Sequence, residues 1–383
     1  MNTLSQKNNH SQSHSLKEVA IVFFKLGCFA FGGPAAHIAM MEDEVVTKRK
    51  WMSRQHFLDL IGATNLIPGP NSTEMTMHCG HERAGSKGLF VAGIAFIIPA
   101  VIITAVLAYL YVSYGSLPEV TPFLFGIKPA VLAIIAAAVL KLGKKALKNK
   151  ELVILGIIAL IIALLGVNEV LVLLGTGIVG TLYFYTKSRI TSTVKTIIPL
   201  PLFFSSLLIK TPVIQVFLTF LKVGALLYGS GYVLFAYLDA ELVTRGLLTR
   251  TELIDAIAVG QFTPGPVLST STFIGYQLSG FGGALAATIG IFLPSFLFVL
   301  ILNPFVPKMR SSKFFGYFLD TVNIGAVAIM LAVLITMSLE TLIDWKAILI
   351  AIISSFFMFS KWKVSVIWLI LGGALLGYLL QLF

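Results

Sequence analysis

Cysteine is nearly absent from this chain of 383 residues: Cys28 and Cys79 are the only two, and they sit in no CxxC or zinc-like spacing. That excludes a disulfide scaffold and argues against a metal centre. Charge is scarce as well. Asp, Glu, Lys and Arg together make up 12% of the residues, about half the share found in soluble domains. Acidic residues are the rarer sign, 17 against 28 Lys and Arg, for a net charge of +11. No basic run or motif for nucleic acid accompanies that excess, so no nucleic-acid partner is expected. Enzyme signatures are missing too: there is no GxSxG, HExxH, Walker A or strand-linked GxGxxG, and no cofactor is implied.

What is present is apolar mass. The AVILMFWYC set accounts for 57% of the chain and the mean hydropathy is +0.92. At roughly 20 residues per crossing this is material for about ten membrane helices. We therefore expect an all-α polytopic membrane protein with about 10–13 membrane segments, surrounded by the lipid bilayer. Residues 1–17 are polar and lack the apolar core and cleavage site of a signal peptide, so they read as a disordered tail.

The remainder is two copies of one unit. Lys25, Gly27, Gly32 and Glu44 match Lys222, Gly224, Gly229 and Glu241 at an offset of 197. Asp59 and Pro68-Gly69-Pro70 match Asp255 and Pro264-Gly265-Pro266 at 196, and Gly80, Gly85, Gly88 and Pro99 match Gly275, Gly280, Gly283 and Pro294 at 195. The boundaries are a first repeat over 18–190, a connector over 191–212 and a second repeat over 213–383. Each copy reads as a Gly-broken apolar segment, a charged loop, an amphipathic stretch containing the Pro-Gly-Pro break, two long apolar runs and two shorter ones.

Loop charge orients the copies. Loop 42–56 carries Lys48, Arg49, Lys50 and Arg54, whereas its partner 239–252 has only Arg245 and Arg250. Loop 142–150 carries four lysines, whereas its partner 339–345 has none. In the loops between, 113–121 has no basic residue and its partner 303–315 has three. Basic loops mark the cytoplasmic side, so the alternating bias predicts two repeats of inverted topology. Loops 42–56 and 79–87 then share a side, which makes the Pro-Gly-Pro stretch between them a re-entrant hairpin. Irregular backbone at membrane depth is tolerated only where protein or water covers it. Whether 18–41 crosses or also folds back at Gly32-Gly33-Pro34 stays open.

The breaks point to a solute site. Pro70 and Pro266 can start helices, whose free N–H groups bind anions. Around the first break stand Asn65, Pro68, Gly69, Asn71, Ser72 and Thr73. Around the second stand Gln261, Thr263, Pro264, Gly265, Ser269 and Thr270. A plain kink is the alternative for either break taken singly. Lys25 and Lys222 lie inside the first apolar segments, where a lysine is costly and a functional candidate; snorkelling is the other explanation. His37, just after Gly32 and Gly33, could meet an oxyanion or simply pack. Glu44, Asp59, Glu74, His78, Glu241 and Asp255 are candidates for proton coupling or gating. For the four acids at loop borders, Glu44, Asp59, Glu241 and Asp255, capping and salt bridging are the alternative.

These motifs resemble a known family. Phe31-Gly32-Gly33-Pro34-Ala35-Ala36-His37-Ile38, Lys50-Trp51, Ile67-Pro68-Gly69-Pro70-Asn71-Ser72-Thr73-Glu74 and Arg83-Ala84-Gly85 are similar to the amino-terminal domain of chromate ion transporters. Gln261-Phe262-Thr263-Pro264-Gly265-Pro266, Phe273-Ile274-Gly275-Tyr276 and Gly290-Ile291-Phe292-Leu293-Pro294-Ser295-Phe296 are similar to the second domain. The resemblance implies the long-chain, two-domain form, export of chromate or of a similar tetrahedral dianion such as sulfate, and chromate resistance. It also implies a multi-pass protein of the bacterial cytoplasmic membrane. A carrier for another anion and a passive anion channel stay open as rivals, and a homodimer is compatible with the reading. The second copy departs from the first at 229–231, where Gly-Ser-Gly replaces Gly-Gly-Pro, and it has no counterpart of His37.

Overall fold

Proline and glycine at recurring positions dictate where this apolar chain can be helical. The computed structural model describes residues 2–31, 33–64, 67–188, 212–228, 231–302, 312–362 and 364–382, without the side chains of 2–14, Ala35, Ser188, Tyr232 and Leu302. Among them the secondary structure is helical throughout. The first repeat comprises α1 (Asn2–Phe29), α2 (Pro34–Met41), α3 (Arg54–Thr64), α4 (Asn71–Tyr114), α5 (Thr121–Ala146), α6 (Lys150–Leu164) and α7 (Glu169–Ser188). The second comprises α8 (Val213–Leu226), α9 (Leu234–Leu238), α10 (Arg250–Phe262), α11 (Thr270–Leu302), α12 (Lys313–Thr341), α13 (Trp345–Phe359) and α14 (Val366–Gln381). Five of the helical stretches are long and apolar enough to cross a membrane.

Several loops are shorter than the charge pattern suggests. The stretches 42–48 and 239–243 are π-helical turns at matched positions, so the expected charged loops begin as helix. Loops 79–87 and 275–283 contract to two residues each. Ala84-Gly85 and Ser279-Gly280 leave helical geometry, with Gly85 at φ 62° and Gly280 at φ 60°. The arms on either side fold back on one another. In a straight helix Gly80 and Gly88 would be about 12 Å apart, yet a side chain on either glycine would strike the backbone of the other, and Gly275 and Gly283 repeat this relation. Only glycine permits such an approach. The polar stretch read as a tail is also helical, because α1 runs from Asn2, and Ser15 Oγ donates to the Arg83 carbonyl at 3.1 Å. Of the connector 191–212, all but Pro212 lies outside the described residues.

Side-chain contacts establish which ends of the helices meet. Glu18 on α1 takes Arg83 Nη2 at 2.8 Å, Arg49 Nε at 3.6 Å and Trp51 Nε1 at 3.3 Å. His56, in the first turn of α3, lies 3.2 Å from Glu82, at the end of the 71–83 arm. The start of α3 and the end of that arm are therefore neighbours, with the Pro-Gly-Pro break at the far point between them. Asp255 in α10 meets Tyr111 and Lys128 instead. Tyr111 is 25 residues beyond Ser86 along the 86–114 arm, about 38 Å of helix. The second amphipathic helix thus starts at the opposite end of the long arm from the first.

Packing joins the copies. Helix α1 lies on α4 with Gly27 against the Phe96 carbonyl, and α8 lies on α11 with Gly224 against the Ile291 carbonyl. The largest buried apolar cluster draws on both repeats, from Ile67 to Met337. Long helices α4 and α11 pack directly on one another.

Candidate functional site

Each Pro-Gly-Pro break interrupts a helix for the same reason. The two prolines supply no N–H and disfavour helix in the residue before them. Pro70 (φ −80°, ψ 101°) precedes the first residue of α4, and Pro266 precedes a short 3₁₀ turn, 267–269, that leads into α11. Between the prolines, Gly69 has φ 143° and Gly265 has φ 86°, backbone that side chains rarely adopt.

The breaks dock reciprocally. Gly69 N donates to the Leu227 carbonyl at 2.6 Å, at the end of α8, and Gly265 N donates to the Ala30 carbonyl at 3.0 Å, at the end of α1. Each repeat's break thus caps the first helix of the other. His37 Nε2 also lies 3.0 Å from the Ala30 carbonyl, so that oxygen takes two donors from different repeats. His37 is buried, with its ring edge-on to Phe96 at 5.6 Å. Gly33 adopts φ 78° at the turn into α2, whereas Gly32 lies outside the described residues.

Polar side chains crowd the helix starts. Ser72, Thr73 and Glu74 are buried on α4, as are Ser269, Thr270, Ser271 and Thr272 on the second side. Thr270 Oγ1 donates to the Val267 carbonyl (2.8 Å), Ser271 to Leu268 (2.7 Å) and Thr263 to Val259 (2.6 Å). Thr73 Oγ1, Ser269 Oγ and Gln261 Nε2 are buried with no hydrogen-bond partner among the described residues. Asn71 opens α4; Asn65, the expected counterpart of Gln261, lies outside the described residues.

The candidate charges are arranged differently from a bare cationic site. Lys222 Nζ is 2.5 Å from Glu241 Oε1, and Arg245 Nη2 is 2.9 Å from Oε2 of the same buried carboxylate. Lys25 is exposed on α1 within electrostatic reach of Glu44. Glu44 in turn binds Lys48 at 3.0 Å and Arg49, and the Lys48 hydrogen bond holds its carboxyl below the usual range. Lys222 and Glu241 are therefore an ion pair, whereas their sequence counterparts Lys25 and Glu44 interact only through longer-range electrostatics. Asp59 is half-buried beside Gln55 Nε2 at 3.5 Å.

Asp255 does not behave as a loop-border residue. It is buried between the repeats, 2.8 Å from the Tyr111 hydroxyl and 3.7 Å from Lys128 Nζ. Lys128 was not among the residues selected from sequence. The signal was present, since it is a lysine inside the apolar run 122–141. Ser295 and Tyr228 were missed as well. Ser295 faces Gly69 from α11, and Tyr228 follows the Leu227 acceptor. His78 is buried one turn beyond Glu74 on α4.

With this geometry in place, comparison with known proteins gives a consistent result. The family model described as "Chromate transporter" matches twice, over residues 17–181 and 214–378. A "Probable chromate transport protein" of Synechococcus elongatus is 30% identical over 366 residues, covering 92% of this chain and 91% of its own. A "Chromate transport protein" of Cupriavidus metallidurans is 26% identical, covering 95% and 93%, and one of Pseudomonas aeruginosa is 29% identical, covering 93% and 90%. No solved structure matches.

Proposed function

This chain belongs to the chromate transporter family, and on that premise we propose that it is a secondary carrier that exports chromate, or a similar tetrahedral dianion, by alternating access. The observation that carries the reading is the reciprocal docking of Gly69 on Leu227 and Gly265 on Ala30. Two broken helices meet the ends of two others at one interface between duplicated halves. That is where a carrier built from inverted repeats binds its solute. The opposite ends at which α3 and α10 begin support the inverted topology. The His56–Glu82 neighbourhood supports a re-entrant first hairpin. The basic end, with Lys48, Arg49, Arg54 and Arg83, is assigned to the cytoplasm.

In this reading the dianion sits against the start of α4 and the turn before α11. Backbone N–H groups and the hydroxyls of Ser72, Thr73 and Ser269 replace its water. Gln261 contributes its buried amide. Lys222 has Glu241 as its resting counter-ion, for which the anion competes, and Lys25 adds positive charge within electrostatic reach of Glu44. Lys222 lies five residues before Leu227, which keeps it near the break. No group in this arrangement needs to form or break a covalent bond, in keeping with a family of transporters. Sulfate, with the same shape and charge, is the expected competitor, and the bacterial cytoplasmic membrane, where export would confer resistance, is the proposed setting.

The test is chromate counterflow into proteoliposomes of the purified chain. A carrier shows saturable uptake that is accelerated by chromate on the far side and inhibited by sulfate. Flux that neither saturates nor responds to trans chromate would identify a pore instead.

A further inference from the structure

The two breaks are counterparts in sequence but not in surroundings. Gly69 is flanked by the Glu74 carboxyl and the Ser295 hydroxyl, whereas Gly265 lies against the methyl group of Ala100. Ala100 is the counterpart of Ser295 at offset 195, and Thr270 is the counterpart of Glu74 at offset 196. One break therefore carries an acid beside a hydroxyl where the other has neither in the same pairing.

Glu74 is completely buried, and among the described residues neither of its oxygens makes a hydrogen bond of good geometry. Among the described residues it has no ion-pair partner. Ser295 faces it from α11, Tyr228 is the titratable group facing it from the second repeat, and His78 lies one turn along its own helix. A carboxylate left ionised in such a place would be far less stable than the neutral acid. Glu74 is also in the first turn of α4, within about 6 Å of the helix start to which an anion would bind. An ionised Glu74 would repel a dianion there, and a neutral one would not.

We propose that Glu74 is a proton-carrying residue of the transport cycle, so that one proton binds and leaves together with the oxyanion. The proton comes from water on the side to which the site is open and returns to water on the other side. The inference rests on the oxyanion-carrier reading and deepens it. Because both repeats could donate hydroxyls but only the first holds the acid, coupling belongs to one half of a duplicated site.

The experiment uses purified full-length chain in detergent, in weakly buffered solution alkaline enough that chromate is itself a dianion. Adding chromate to the wild type across a pH series should take up a proton fraction that rises toward one per carrier as pH passes the range where the empty site ionises, and above that range apparent affinity should fall about tenfold per pH unit. Glu74→Gln, which mimics the neutral acid in shape, should bind chromate with no proton uptake and with a flat pH profile. In proteoliposomes with the membrane potential clamped, it should lose the acceleration of chromate accumulation by a pH gradient. Wild-type binding without proton uptake, which requires no variant, would overturn the coupling alone. So would a Glu74→Gln protein with an unchanged pH profile. Wild type that binds no oxyanion would overturn the carrier reading and this inference with it.

Discussion

The amide of Gly69, in the break of the first repeat, hydrogen-bonds to the carbonyl of Leu227 at the end of the second repeat's first helix. Together with its mirror contact, Gly265 to Ala30, it makes each repeat's irregular backbone depend on the other. An exposed amide in lipid is costly; here each is satisfied from across the interface. This mutual dependence leads to the first prediction.

Replacing either glycine with alanine should impair transport, and Gly69→Ala should be the worse of the two. At Gly69 the added methyl meets the Glu74 carboxyl and Ser295, whereas at Gly265 it meets the Ala100 methyl at 3.0 Å. Overpacking and the positive φ together should cost about 1–3 kcal/mol. Thermal unfolding followed by fluorescence size-exclusion, alongside chromate counterflow, measures both effects; equal behaviour of the two variants would contradict the ranking.

The hairpin within α4 separates backbone conformation from space. Gly85 has a positive φ but nothing within 4 Å of an added Cβ, while Gly88 would press a methyl onto the Gly80 backbone. Gly85→Ala should cost about 1–3 kcal/mol, because φ 62° with ψ −157° is backbone that essentially only glycine adopts. Gly88→Ala should lower the yield of folded protein more steeply, because the 71–83 arm must move. Recovery of monodisperse protein is the readout.

Asp255, Tyr111 and Lys128 form a polar bridge between the repeats. Lys128→Met alone leaves a buried carboxylate with one hydroxyl donor, and the expected cost is about 1.5–3 kcal/mol. Asp255→Asn combined with Lys128→Met removes both charges and should recover a large part of that loss. A double-mutant cycle on melting temperature tests the coupling, and strict additivity would show that the two side chains are independent.

Lys222→Ala should act on two quantities at once. It leaves Glu241 with Arg245 as its remaining partner within 4 Å, so stability should fall. If the lysine also exchanges Glu241 for substrate, the KM for chromate should rise. Lys222→Ala with Glu241→Gln restores charge balance, so its KM separates the two effects: a normal value would remove Lys222 from the proposed site.

Glu44 gives a pH prediction. The Lys48 hydrogen bond holds its carboxyl below the usual range, with Arg49 adding to the effect. A carboxyl depressed in the folded state contributes stability above its ordinary titration range and loses it as pH falls through the depressed value. Glu44→Gln should therefore lower the melting temperature at neutral pH and matter progressively less in acid. A difference that persists unchanged in acid would mean that the ion pairs are not its source.

A large part of the architecture was legible in the sequence because membrane helices are simple objects. Long apolar runs predict α5, α12 and the second arms of α4 and α11, beyond Gly85 and Gly280, to within five residues, and Pro-Gly-Pro locates both breaks. The errors have local causes. Loop 79–87 is shorter than its charged residues suggest, because His81, Glu82 and Arg83 are helical and the turn needs only Ala84-Gly85. Asp255 falls at a loop border in sequence, whereas packing against α4 and α5 buries it. Lys128 has no charged counterpart in the second repeat, so the duplication does not mark it.

The sequence by itself determined the duplication, the helical class and the position of each break, because glycine, proline and apolar periodicity act within a few residues of themselves. Tertiary structure alone decided that the breaks dock on the opposite repeat, that Lys222 and Glu241 neutralise one another, and that Glu74 is buried beside Ser295 with no ion-pair partner among the described residues. Those outcomes depend on which surfaces meet across about two hundred residues of chain. No local propensity encodes that meeting; it follows from burying both repeats' small-residue faces against each other at once.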